Sequence, residues 1–339
     1  MVVNNKLKFL KKFDNFSEIL EFNSIKYKNK IFIIDKNIEV TYSEFNDLVH
    51  KCCHYFKENN IKEGDKISLI LPNSIDFLIL YFASIRYKTI INPIPLTSGL
   101  ESIKVNLDKI NPSVIFLNKY LKNHLKKFNL IEIKENNYFY KFLKKNYKNK
   151  KLFKKKILGK DISCFYLSSG TTDESKIIQY QNKSMINGQI ALIKSKFTKK
   201  KPIHLCFLPF GHTSVLRYSI KHCICLGGKI IIFESYWKIK NNLWNVVKKF
   251  NVTYFQTVPT ILKSILTIGN KPANLKTIKF IGCGSAYLDK KIQKDFEYKF
   301  KVKVSNLYGL SETGATHFDD PFFKNRKVGS IGMPLAGVT

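Results

Sequence analysis

Arginine is almost missing from this chain: of 58 basic residues, only Arg86, Arg217 and Arg326 are arginines. Lysine supplies the rest, and against 25 acidic residues it leaves a formal net charge of +33. Such a charge invites a nucleic-acid partner, because phosphates are neutralised by basic side chains. Base reading and bidentate phosphate clamping draw on the planar guanidinium fork. Its scarcity argues against a specific nucleic-acid partner. The accompanying wealth of Asn, Ile, Phe and Tyr points to a coding bias toward AT-rich codons. A positive field of this size still draws in small anions.

Paired cysteines are also lacking. Cys52, Cys53, Cys164, Cys206, Cys223, Cys225 and Cys283 are odd in number and form no pair of Cys-x-x-Cys knuckles. Neither a zinc knuckle nor a disulfide framework is expected, and the thiols read as buried in a reducing, cytoplasmic compartment. No membrane span is expected: the longest apolar stretch, Ile75–Ile85, carries Asp76 and is too short for a bilayer. Met1–Phe16 lacks the apolar core of a signal peptide.

What is present is globular. Hydrophobic residues make up 44% of the 339 positions and aromatics 14%, which is enough for two α/β units. The first is expected over 1–160. Ile31–Ile34 and Ile38–Val40 read as short paired strands. Thr41 with Glu44 forms a capping box ahead of a helical pattern at Phe45, Leu48, Val49, Cys52 and Phe56. Lys66–Leu71 and Thr89–Ile91 read as strands around a helix begun by Pro72-Asn73-Ser74. Residues 141–160 hold ten lysines and read as a solvated connection. The second unit is expected over 161–326, with 327–339 opening a further segment. Its strands are Ile162–Leu167, Ile203–Leu208, Lys229–Phe233, Val252–Phe255, Ile278–Ile281 and Val302–Leu307, with helices at Leu243–Phe250, Pro259–Ile265 and Asp289–Phe300. Alternation of this kind predicts α/β architecture with largely parallel sheets. Ligands in such sheets bind beyond the carboxyl ends of strands.

Four strand-following segments carry chemistry. Ser168-Ser169-Gly170-Thr171-Thr172-Asp173-Glu174-Ser175-Lys176 offers backbone N–H groups, hydroxyls and a cation to phosphate oxygens. It lacks the Gly-x-x-x-x-Gly-Lys spacing of a P-loop. Leu208-Pro209-Phe210-Gly211-His212 closes another strand, and Gly282-Cys283-Gly284-Ser285-Ala286 reads as a small-residue turn. Cys283 has no identifiable His or Asp partner, so it is not expected to act as a nucleophile. In Asn306-Leu307-Tyr308-Gly309-Leu310-Ser311-Glu312-Thr313, an aromatic face suits a base and a carboxylate suits magnesium bridging phosphates.

In this order the segments resemble the AMP-forming acyl-CoA synthetase, adenylation-domain and luciferase superfamily. Its phosphate loop, Ser-Gly-Thr-Thr-Gly-x-Pro-Lys, matches at Ser169, Gly170, Thr171, Thr172 and Lys176, with Asp173 in place of Gly and Ser175 in place of Pro. Its Leu-Pro-x-x-His and Tyr-Gly-x-Thr-Glu segments match at Leu208–His212 and, with Ser for Thr, at Tyr308–Glu312. Gly329-Ser330-Ile331-Gly332-Met333-Pro334 is similar to the Gly-Ser-x-Gly-x-Pro run that follows. Thr41–Phe45, Gly64-Asp65-Lys66 and Leu71–Ser74 also sit where the family has related residues.

The resemblance implies two stacked α/β subdomains forming the family's large N-terminal domain. It implies ATP-dependent activation of a carboxylic acid to an acyl-adenylate, then transfer to coenzyme A or a carrier-protein thiol. Lys176, Glu312 and His212 would be catalytic, with Mg²⁺ held by Glu312 and Thr171. ATP would be bound by Ser168, Ser169, Gly170, Thr171, Thr172, Lys176, Gly282, Gly284, Ser285, Asn306, Tyr308, Gly309 and Ser311. His212 would border the acyl pocket. Thr213, where amino-acid-activating relatives carry Asp, favours a simple carboxylic acid. The family's ribose-binding Asp, its hinge and the lysine of its C-terminal domain would lie beyond Thr339, so this chain is expected to adenylate poorly, if at all. The competing reading is a nucleotide-binding remnant without catalysis, or a half-enzyme needing a partner.

Overall fold

The computed structural model describes residues 7–135, 137–148, 152–168, 175–197, 201–268 and 275–338. It divides into two compact units: Phe9–Asn187 with Pro209–Thr213, and Met1–Lys8 with Gly188–Leu208 and Ser214–Thr339.

In the first unit β1 (Ile31–Asp35) and β2 (Ile38–Thr41) form an antiparallel ribbon. The expected capping box follows. Thr41 Oγ1 accepts from Glu44 N at 3.1 Å, while Glu44 returns a carboxylate to Thr41 N at 2.9 Å. This starts the helix Tyr42–Glu58, and such caps contribute about 1 kcal/mol. The sheet contains β3 (Lys66–Ile70), β4 (Ile90–Pro93), β5 (Val114–Asn118), β6 (Leu130–Ile133), β7 (Ile162–Leu167) and β8 (Ile177–Gln181). Their order is β6-β5-β3-β4-β7-β8, parallel except for the antiparallel β7–β8 pair. Beside it, the helix Ile75–Tyr87 has all thirteen residues buried, which explains its apolar run from Phe77 to Ala83.

Two expectations need correction here. β7 was assigned to the second unit, but it pairs with β4, and the division falls at Asn187/Gly188 rather than after 160. A buried polar chain fixes that pairing: Ser68 on β3 donates to Asn92 on β4 at 2.9 Å, and Asn92 donates to the Phe165 carbonyl on β7 at 3.2 Å. The described parts of the lysine-rich stretch, 141–148 and 152–160, pack on the first unit rather than forming a free connection. Phe139, Leu143, Tyr147 and Ile157 are buried between the lysines. Phe153 N donates to His50 Nδ1 at 3.0 Å.

The second unit contains β9 (Ile203–Cys206), β10 (Lys229–Ile232), β11 (Tyr254–Thr257), β12 (Phe280–Gly284), β13 (Val304–Leu310), β14 (Gly314–Phe318) and β15 (Met333–Pro334). β10, β9, β11, β12 and β13 are parallel, and β14 and β15 add antiparallel strands. Asp289 caps the helix Lys290–Phe300 by accepting from Lys291 N and Ile292 N. Phe197, Tyr218, Tyr254, Phe280, Leu307 and Phe318 pack into one core cluster. Arg326 ties that unit together, pairing with Asp319 at 2.7 Å and Glu297 at 2.8 Å. Among the described residues no helix is long and apolar enough to cross a membrane.

Asp76 is buried at the start of its helix, where it accepts from Phe139 N at 3.1 Å and Tyr140 N at 2.8 Å. Burial outweighs these bonds and raises its carboxyl to about 7. A carboxyl raised by folding opposes stability increasingly as pH climbs from its unfolded value through its folded one. In urea unfolding of wild type and Asp76→Asn between pH 4 and 8, the wild type should therefore lose on the order of 4 kcal/mol relative to the variant as pH rises across that range. A constant difference between the two proteins would refute the assignment.

Candidate active site

The phosphate-loop candidate lies between two antiparallel strands, β7 and β8, rather than between a strand and a helix as in a P-loop. Its ends are closed by two bonds. Ser168 N donates to the Lys176 carbonyl, and Lys176 N donates to Ser168 Oγ, both at 2.9 Å. Ser168 and Lys176 are therefore brought together, with Lys176 exposed. Ser169, Gly170, Thr171 and Thr172 lie outside the described residues, as do Asp173 and Glu174. Lys109, which the sequence gave no reason to single out, donates its ammonium to the Ser175 carbonyl. A second cation thus stands at the foot of the hairpin.

The same unit positions His212. Phe210 N donates to Asn73 Oδ1 at 2.8 Å, joining Leu208–His212 to the Pro72-Asn73-Ser74 segment. A side chain at Gly211 would collide with the backbone of Ile94 and Pro95, so glycine is required for this close approach. His212 is exposed as a residue. Even so, partial desolvation holds its imidazole below the ordinary 6.5, toward the neutral form.

The remaining candidates belong to the second unit. Gly282 and Gly284 do not form a turn after β12; they lie within it, buried. A Cβ at Gly284 would stand 2.6 Å from the Leu307 carbonyl oxygen, and one at Gly282 would strike the Tyr254 hydroxyl. Their glycine identity is thus demanded by the neighbouring strands β11 and β13. Ser285, the next residue, is exposed and left-handed at φ 66, a conformation that non-glycine residues adopt at a cost and often at functional sites. Burial pushes the Cys283 thiol up to about 12, which leaves it protonated at neutral pH.

Asn306 is buried and spends its amide on the Ser330 carbonyl at 3.2 Å. Here it holds the glycine-rich 329–334 segment. Tyr308, by contrast, is 43% exposed at the end of β13, with His317 edge-on at 5.9 Å. Gly309 lets the β13–β14 hairpin close, since a side chain there would strike the Gly314 carbonyl. Ser311 and Glu312 occupy the hairpin turn, which Thr313 stabilises by accepting from Leu310 N at 3.2 Å. Glu312 is exposed. No group of three or more His, Cys, Asp or Glu forms a metal cluster among the described residues. One carboxylate beside a hydroxyl fits Mg²⁺ that takes its other ligands from phosphates and water.

Two units built on largely parallel α/β sheets, with candidate residues at or beside strand ends, define the fold class. The chain belongs to the AMP-binding enzyme family, which it matches over residues 20–339. It is 27% identical over 200 residues to marinolic acid–CoA ligase of Pseudoalteromonas sp., covering 56% of this chain and 31% of that protein. It is 24% identical over 278 residues to 4-coumarate–CoA ligase-like 6 of Arabidopsis thaliana, covering 75% and 48%. The chain thus spans about a third to a half of these relatives. Its fold superposes on VinN with a TM-score of 0.84 at 14% identity, covering 95% of this chain and 81% of VinN. It also superposes on the anthranilate CoA ligase AuaEII in complex with anthranoyl-AMP, at TM-score 0.84 and 16% identity, covering 95% and 64%. The N-terminal domain of FACL13 from Mycobacterium tuberculosis gives 0.83 at 16%, covering 95% and 82%. The fold is that of the N-terminal domains of acyl-activating ligases.

Substitution of Gly284 by Ala should destabilise the second unit by about 1–3 kcal/mol, because the new methyl group meets strand backbone that cannot rotate away. A urea midpoint equal to wild type would refute this account of the glycine.

Proposed function

We propose that this chain carries the ATP- and acid-binding part of an activity that joins a carboxylic acid to MgATP, forming an acyl-adenylate and pyrophosphate, for transfer to the thiol of coenzyme A or a carrier protein. The family match over nearly the whole chain is the observation that carries this reading. The named CoA ligases among its relatives support a thiol acceptor.

In this reading one carboxylate oxygen of the acid attacks the α-phosphorus in line. The new C–O–P bond forms as the bond to pyrophosphate breaks, and negative charge must be stabilised throughout. The Ser168–Lys176 hairpin would offer N–H groups, hydroxyls and the Lys176 ammonium to phosphate oxygens. Glu312, with Thr171, would hold Mg²⁺, and Ser311 would bond phosphate. Tyr308 would lie against adenine, where its exposed ring suits a flat partner. His212 would border the acyl group as a neutral imidazole. Asn306, spent on the Ser330 carbonyl, acts in this reading as a support for Tyr308 rather than as a direct ligand. The Gly282–Ser285 strand end would bring backbone close to adenine and the acyl group.

Asp173 and Glu174 in the phosphate loop favour a second reading, a nucleotide binder without catalysis, since two carboxylates repel a triphosphate. Acid-dependent ATP–pyrophosphate exchange separates the two. Exchange that falls about a hundredfold or more in Lys176→Ala and in Glu312→Gln, magnitudes typical of lost transition-state charge partners, is the expected outcome. MgATP binding without exchange under any tested acid would favour the binder.

A further inference from the structure

The three arginines of this lysine-rich chain have different surroundings. Arg86 is 2% exposed and gives its guanidinium to Ser17 and Asn46. Arg326 is committed to Asp319 and Glu297. Arg217 is only half-buried. It lies on Leu216–Lys221, a stretch of π-helix, a rare backbone form frequent at functional sites.

Contacts of both backbone and side chain hold Arg217 in place. Its carbonyl accepts from Gln189 Nε2 at 2.9 Å, and its guanidinium donates to the hydroxyl of Tyr218, which is buried in the core cluster of the second unit. The guanidinium then lies along Gly314, the residue two beyond Glu312. A Cβ built there would stand 3.5 Å from Nη2 and 3.6 Å from Cζ, which is ordinary contact. Gly314 has φ 77, a conformation that favours the absence of a side chain. The adjoining turn is open, with Leu310 52% exposed and Glu312 exposed. A planar cation, anchored from the core, is thus presented at the edge of a solvent-facing turn.

We propose that Arg217 is an anion-binding residue of the adenylation site, which clamps a phosphate or carboxylate oxygen beside the Ser311–Gly314 turn. The assignment rests on the functional reading above and deepens it. A guanidinium binds such oxygens through two parallel N–H groups, which an ammonium cannot reproduce. This accounts for an arginine in a chain that otherwise uses lysine. The two possible sources of the oxygen are the nucleotide phosphate and the carboxylic acid.

The test compares wild type, Arg217→Gln and Arg217→Lys by calorimetry with MgATP, with metal-free AMP and with adenosine. It adds the KM for octanoate, benzoate or succinate in pyrophosphate exchange, using whichever supports turnover. If the oxygen is a phosphate's, Arg217→Gln weakens AMP about tenfold or more and leaves adenosine unchanged. If it is the acid's, the KM for the acid rises by a similar factor and nucleotide affinities hold. In either case Arg217→Lys recovers only part of the loss. Unchanged AMP affinity together with unchanged acid KM overturns the assignment. So does equal weakening of AMP and adenosine, which would indicate a general loss of structure. A fall in MgATP affinity alone overturns it too, because Arg217 would then act only by holding Glu312 for the metal. A wild-type chain that binds neither MgATP nor AMP refutes the functional reading itself.

Discussion

The second unit depends on a steric constraint within its sheet. β12 carries no side chain at Gly282 or Gly284, so the Tyr254 hydroxyl and Leu307 can occupy the space above them. Those two residues belong to the same cluster as Phe197, Tyr218, Phe280 and Phe318. The glycines therefore set the spacing of three strands, and the strands set where Ser285 and Tyr308 emerge. The family resemblance assigns these glycines to the approach of a ligand; the packing gives them a second, prior duty. A position can serve both, because the strand that must be bare on its packed side also ends at the exposed Ser285.

Much of the framework was legible in the sequence. The Thr41–Glu44 box, the strands around Asp35, and the alternation of strand and helix from Ile203 onward all reappear in place. What escaped was decided by partners far along the chain. The antiparallel strands β8 and β14 are only five residues each and are defined by pairing with β7 and β13. The division near residue 187 was hidden because the lysine run at 141–160 resembles a linker in composition. The pairing of β7 with β4, and the Ser68–Asn92–Phe165 chain of bonds across it, show which sheet β7 joins. At the site, residue types were readable at Lys176, His212, Tyr308 and Glu312. The environments of Asn306 and Arg217 were not, since a hydrogen bond to Ser330 and a face against Gly314 leave no local mark.

The charge distribution follows a division of labour. Buried guanidinium groups satisfy several acceptors at once, as Arg326 does with two carboxylates and the Val304 carbonyl. Lysines lie mostly at the surface, where exposed ion pairs contribute little to stability and a general positive field remains. Such a field raises the local concentration of anions without selecting among them. Selection, in a chain of this composition, falls to the few positions where geometry rather than charge is fixed.

The packed lysine-rich segment has a consequence for how the protein meets proteases. Between 138 and 148, and again from 152 to 157, basic residues alternate with buried Phe139, Leu143, Tyr147 and Ile157. Phe153 stacks on Tyr87 with ring centres 5.1 Å apart, and Lys155 lies over the same Tyr87 ring. A trypsin-like enzyme must draw several residues into an extended strand to cut beside a lysine, and that would pull these rings out of the core. Scissile bonds that are dense in the sequence are thereby shielded in the fold, so cleavage there should report loosening of the first unit rather than mere abundance of lysine.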